Sequence, residues 1–183
     1  MKNLVLFLWL FILSFTSEAE AELTAKQAQQ ILQMDHTELQ TRAGKFEQKK
    51  YFKVLKRPFV SSGNFDIKAG YLNWQTVAPI QSGIIFNDGT LYLINSKGEQ
   101  KVAPKAEHFA HLLVALLQGD INTLSRTFIF NQQSEKCISL LPREQTIAQA
   151  ISLITICSQG KQQQISLFDA QENRTEISLN YVL

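Results

Sequence analysis

The sequence predicts a mainly β protein of the α+β class: a long, curved antiparallel sheet forming a partly open barrel, with a helix over its mouth. Three observations carry this. Apolar residues alternate with polar ones in short segments spaced roughly ten residues apart. Turn-forming sequences separate the segments. One stretch of helical period, Pro104 to Asp120, interrupts the series midway. Strands joined by short turns form antiparallel meanders, and one apolar face per strand must be covered by another layer.

The elements follow in order. Thr24 to about Met34, "TAKQAQQILQM", is predicted helical, with Thr24 as cap and a narrow apolar face of Ala28, Ile31 and Leu32. From Gly44 the period becomes two: Phe46, Gln48, Lys50, Phe52 and Val54 share one face, and Lys45, Glu47, Lys49 and Lys53 the other. Pro58 breaks this strand. Phe65 and Ile67 then alternate with Asn64, Asp66 and Lys68, "KAGY" turns the chain, and Leu72 and Trp74 share the next apolar face up to Pro79. "GIIF" and "TLYLI" form a hairpin about the Asn87-Asp88-Gly89 turn. In the helical stretch, Phe109, Leu112, Leu113, Leu116 and Leu117 fall at i, i+3, i+4, i+7 and i+8, a broad apolar stripe between Pro104 and Gly119. The two-residue period returns in "RTFIF", "CISLL", "ISLITIC", "QQISLF" and "RTEISLNYVL", with a short helical turn expected in "REQTIAQAI". The helix from Lys105 to Gln118 is the expected cover for the sheet. Periodicity does not distinguish a cavity beneath it from a filled core.

The first 21 residues stand apart. Lys2 precedes "LVLFLWLFIL", and "AEA" follows at Ala19 to Ala21. A basic start, a short apolar run and an A-x-A site predict a signal peptide over residues 1–21, with cleavage after Ala21. Ten apolar residues fall short of the roughly twenty needed to span a bilayer. No Cys follows the site to carry a lipid anchor. Residues 22–183 are expected to form one exported domain. Cleavage removes Lys2, Glu18 and Glu20 and leaves 17 basic and 14 acidic side chains, a net charge of +3. That balance does not argue for nucleic acid as a partner.

Cys137 and Cys157 are the two cysteines. An exported chain meets an oxidising compartment, where a disulfide is expected. Strands pairing about a centre near Glu144 to Ala150 place the two cysteines opposite each other. The spacing is not C-x-x-C and no His lies between them, which argues against a redox pair or a metal site.

No nucleophile is paired with a base, and neither a phosphate-cradling glycine loop nor a G-x-S-x-G elbow occurs. The reading is therefore of a protein that is not an enzyme and needs no cofactor. His108 and His111 are spaced i, i+3 on the apolar helix but lack a third ligand, and no metal is expected. Phe46 to Phe59, "FEQKKYFKVLKRPF", holds four Lys and one Arg among aromatics. It is either a solvated strand face or a surface for acidic partners or anionic headgroups.

Several segments are similar to the LolA-type outer-membrane lipoprotein carriers. They are Phe46 and Gln48 followed by basic residues, Ser62-Gly63 with Phe65 two positions on, Leu72 and Trp74, Pro79, and "FNDG" before an aromatic strand; "ISLLP" at Ile138 to Pro142 and the closing strands also fit. The resemblance implies a half-open, unclosed β-barrel with helices lidding a hydrophobic cavity, and a periplasmic shuttle that shields acyl chains, loaded by an inner-membrane exporter and unloaded at an outer-membrane acceptor. Leu72 and Trp74 match the family by motif position, and the alternation together with the resemblance gives an expected lipid site of Phe46, Phe65, Ile67, Leu72 and Trp74 on the sheet and Phe109, Leu112, Leu113 and Leu116 on the lid. The family usually carries Arg-Pro before the Trp strand, and that Arg takes part in lid control. Lys68-Ala69-Gly70 stands there instead. The chain also ends with its last strand at Leu183, without the further extension of the main carriers. These departures point to a divergent member whose cargo is lipoprotein or another lipid. The rival reading is a non-carrier with a filled core that meets a membrane or partner through its basic strand.

Overall fold

A computed structural model describes residues 22–33, 41–68, 70–104 and 107–182, with the side chains of Thr41 and of residues 107–109 left aside. The segment expected to be a signal peptide lies outside the described residues.

Helix α1, Ala25–Leu32, begins where Thr24 caps it: Gln27 N–H donates to the Thr24 hydroxyl, while the Gln27 side chain accepts from the Thr24 backbone N–H. Six strands follow: β1 Thr41–Tyr51, β2 Phe59–Lys68, β3 Tyr71–Ala78, β4 Ser82–Asn87, β5 Thr90–Ile94 and β6 Gln100–Val102. Next come helices α2, Glu107–Gln118, and α3, Ile121–Thr127. The second set of strands is β7 Phe128–Ser134, β8 Cys137–Pro142, β9 Ile151–Gln159, β10 Gln162–Asp169 and β11 Arg174–Val182, with the short helix α4, Gln145–Ala148, between β8 and β9.

All eleven strands form one antiparallel sheet in the order β6-β5-β4-β3-β2-β1-β11-β10-β9-β8-β7. Each half is a meander, and the first and last strands join the halves at the centre, with Gly44 opposite Tyr181 and Phe46 opposite Leu179. The terminal strands β6 and β7 do not pair, so the sheet stays unclosed as expected. Register shifts at Ser62/Gly63, Gln132/Ser134 and Phe168/Asp169 bend it. Asp88 and Gly89 both take positive φ, 47° and 79°, as a two-residue hairpin turn demands.

One sheet face is apolar from β5 across to β7 and forms a single core with the helices. Helix α1 lies against β7, β8 and β9, where Ala28 and Leu32 are fully buried. Helix α2 covers the β2 to β5 sector. The chain before α1 also shields the edge of β7, since Leu23 N–H donates to the Phe130 carbonyl at 2.7 Å.

Three details differ from the sequence reading. Helix α3 was not expected. Asp120 caps it by accepting from Thr123 N–H, and it runs through Thr127, so the strand read from Arg126 starts at Phe128. Strand β6 adds a sixth member to the first meander. Val54, placed on the β1 face by alternation, lies beyond the strand: β1 stops at Tyr51, and a turn closed by Leu55 N–H to the Phe52 carbonyl takes over.

Candidate functional site

The candidate site is the apolar face of β1, β2 and β3 beneath helix α2. Two glycines shape it. Gly63 on β2 stands opposite Phe46 on β1. With no side chain there, the Phe46 ring lies across β2 and stacks on Trp74 of β3, centroids 3.7 Å apart and planes at 23°. A Cβ on Gly63 would meet the Phe46 ring at 2.8 Å and collide with the Gln75 backbone. Gly44 on β1 plays the same part for Phe65, its partner on β2. Phe65 lies parallel to Trp74, which it faces directly, with centroids 6.0 Å apart. Its far edge meets Tyr181 of β11 edge-on at 5.5 Å. Trp74, Phe46, Phe65 and Tyr181 thus form a continuous aromatic floor across four strands. Ile67 and Leu72, opposite each other at the β2–β3 turn, extend it with fully buried side chains.

The cover is α2. Leu112 and Leu116 are buried in the same core, and Leu113 is half-buried at its margin. The side chain of Phe109 lies outside the described residues. The structure therefore brings Phe46, Phe65, Ile67, Leu72 and Trp74 together with Leu112, Leu113 and Leu116. In this closed arrangement Phe46, Phe65 and Trp74 are all buried.

Among the described residues few polar contacts hold α2 down. Gln118 Nε2 donates to the Lys68 carbonyl at 3.0 Å, at the end of β2. Tyr181 Oη faces two acceptors, the Leu117 carbonyl at 3.2 Å and Oε1 of Gln163. The hydroxyl has one proton for both. Gln163 is the one buried polar side chain among the described residues, 2% exposed, and its Nε2 has no partner. Turning the amide over resolves this. Gln163 Nε2 then donates to Tyr181 Oη, and the hydroxyl donates onward to the Leu117 carbonyl. The guanidinium of Arg42 lies 4.8 Å above the Tyr181 ring. Burial raises the Tyr181 hydroxyl above its usual pKa, and Arg42 offsets part of that rise.

Sequence reasoning missed this polar cluster. Tyr181 sits on an apolar phase of alternation and reads as core. The signal for Gln163 is its place in β10, where it shares a face with buried Ile165.

The two cysteines behave as read. Cys137 on β8 and Cys157 on β9 are direct partners, 4.1 Å apart at Cα, and are joined in a disulfide. Ile138 and Ile156 beside them are fully buried in the core, so the alternation puts the bridge on the opposite face of the sheet, away from the aromatic floor. His111 is exposed, with its ring edge-on to Phe86 at 4.7 Å. Among the described residues no three His, Cys, Asp or Glu side chains gather within reach of one metal ion, and no helix is long and apolar enough to cross a membrane.

An unclosed eleven-stranded antiparallel sheet with its aromatic face under a helix defines a class of helix-covered half-barrels. The chain belongs to the LolA family, described as outer membrane lipoprotein carrier protein LolA, which matches residues 37–183. No curated protein matches the chain.

Proposed function

We propose that this protein is a periplasmic carrier that binds acyl chains of lipoproteins or another lipidic cargo against the aromatic floor. It then ferries them from the inner to the outer membrane of a Gram-negative cell. Residues 1–21 act as the signal peptide, and residues 22–183 are the carrier domain, working as a monomer. An inner-membrane exporter supplies the cargo and an outer-membrane acceptor removes it. The family supports the carrier role in general.

The observation that carries the reading is the nature of the lid's hold. Helix α2 satisfies its own backbone hydrogen bonds, so lifting it strands little polar surface. Among the described residues its attachment to the sheet is mainly apolar, with Gln118 to the end of β2 and Tyr181 of β11 as its polar ties. Apolar contact is non-directional, so an acyl chain can take the place of the apolar side chains of α2 over the sheet face that carries Phe46, Phe65 and Trp74. Each methylene buried there contributes about 0.8 kcal/mol. The lid and the cargo compete for one surface, and a partner that favours the open lid drives release.

Native mass spectrometry of the protein purified from periplasm tests this. The expected result is a population carrying lipid or acylated peptide, lost in Leu112→Asp while the β-sheet circular dichroism persists. A protein that is always empty, or a Leu112→Asp variant that keeps its lipid, overturns the assignment.

A further inference from the structure

Ten large hydrophobic side chains are exposed among the described residues, and six of them gather at one end of three neighbouring strands. Val54 and Leu55 form the β1–β2 turn, 88% and 49% exposed. Phe59 and Val60 open β2. Val77 lies near the end of β3, and Ile80 follows it at 66%. Strands β1 and β3 end where β2 begins, so these side chains share one rim of the sheet.

Cations interleave with them. From Lys49 to Phe59 the chain carries five Lys and Arg and no acid. Lys53 pairs with Glu172, and Lys49 with Glu47. Lys56 and Arg57 form no ion pair among the described residues and are exposed.

The tip is also built to project. Lys53 N–H donates to Asn173 Oδ1 at 3.2 Å, Phe52 packs edge-on to Phe59 at 5.7 Å, and Lys50 Nζ lies 5.1 Å from the Phe52 ring centre. The base of the turn is therefore fixed, and Val54 is held outward at its apex.

We propose that this tip docks the protein on an anionic lipid bilayer, with Val54 and Leu55 entering the headgroup–acyl boundary and Lys56 and Arg57 meeting lipid phosphates. The occupant follows from charge: the stretch from Lys49 to Phe59 carries no acid, and its Lys56 and Arg57 are exposed without an ion pair among the described residues. Apolar side chains flanked by Lys and Arg suit the bilayer interface, where both kinds of group are satisfied at once. The inference rests on this surface alone and not on the carrier reading.

The test uses protein purified from periplasm and vesicles without acylated protein cargo. Co-sedimentation is measured with phosphatidylcholine vesicles and with vesicles that also contain phosphatidylglycerol. Binding is expected only to the anionic vesicles, weakening as salt rises. Lys56→Glu with Arg57→Glu should weaken it roughly tenfold or more. Val54→Glu with Leu55→Glu should remove it with the melting temperature unchanged, because both side chains are exposed. Val54→Trp should shift its emission to the blue on anionic vesicles. Absence of vesicle binding, equal binding to neutral vesicles, or full binding by Val54→Glu with Leu55→Glu would overturn the proposal.

Discussion

Phe46 on the first strand stacks on Trp74 of the third at 3.7 Å, although a strand lies between them. Adjacent strands are about 4.8 Å apart, so the two backbones are separated by roughly twice that distance. The contact exists because Gly63 leaves the intervening position bare.

Gly63→Val is therefore expected to destabilise the fold by about 2–3 kcal/mol. The new side chain would meet both the Phe46 ring and the Gln75 backbone, and the backbone cannot move aside. In a domain of this size that lowers the melting temperature by roughly 5–10 °C. Trp74 fluorescence should change with it, since the stacked ring must leave the indole. A variant with wild-type stability and emission would show that the stack is incidental.

The alternation was readable because it reports one physical fact, which face of a strand meets water. It placed Phe65, Ile67, Leu72 and Trp74 on one surface, and opposing alternations placed Cys137 against Cys157. It failed where burial is not periodic. Seven residues of α3 are too few to show a helical stripe, and Asp120 as its cap looks like any loop aspartate. Alternation overran at Val54 because a turn that projects an apolar residue carries the same pattern as a strand that buries one. Gly63 and Gly44 gave no sign of their role, since only the register shows which aromatic ring lies across each.

The Cys137–Cys157 disulfide closes a loop with a sequence separation of 20. Removing both cysteines by substitution with alanine should cost about 3 kcal/mol through the freed unfolded chain. The loss should appear as an earlier denaturant midpoint. Because the alternation puts the bridge on the face away from the aromatic floor, the lipid binding proposed above should not change below the unfolding transition. Loss of lipid from a folded, disulfide-free variant would place the bridge in the site.

Tyr181→Phe removes the hydroxyl between Gln163 and the Leu117 carbonyl. Leaving these buried groups without their partner should cost about 1–3 kcal/mol. The loss should concentrate on the lid. Amide hydrogen exchange in 110–118 should speed up well before exchange in β1, β2 and β11. Uniform acceleration across sheet and helix would mean that the hydroxyl supports the whole fold rather than the end of α2.

The same hydroxyl gives a pH signature. Burial raises its folded-state pKa above the unfolded value of about 10, with Arg42 pulling the other way. A raised folded pKa means that the folded protein holds this proton more tightly than the unfolded chain. The associated stability is fully present below about pH 10 and is lost as pH climbs through the folded pKa. Ultraviolet titration should show a late-ionising tyrosine component from Tyr181. Tyr181→Phe should delete that late component. The stability gap between wild type and Tyr181→Phe should be constant at neutral pH and narrow above pH ~10, as the wild type alone loses the contribution of its neutral hydroxyl. A gap that widens with pH would mean that the ionised oxygen is the form the fold prefers, with Arg42 rather than burial setting the balance.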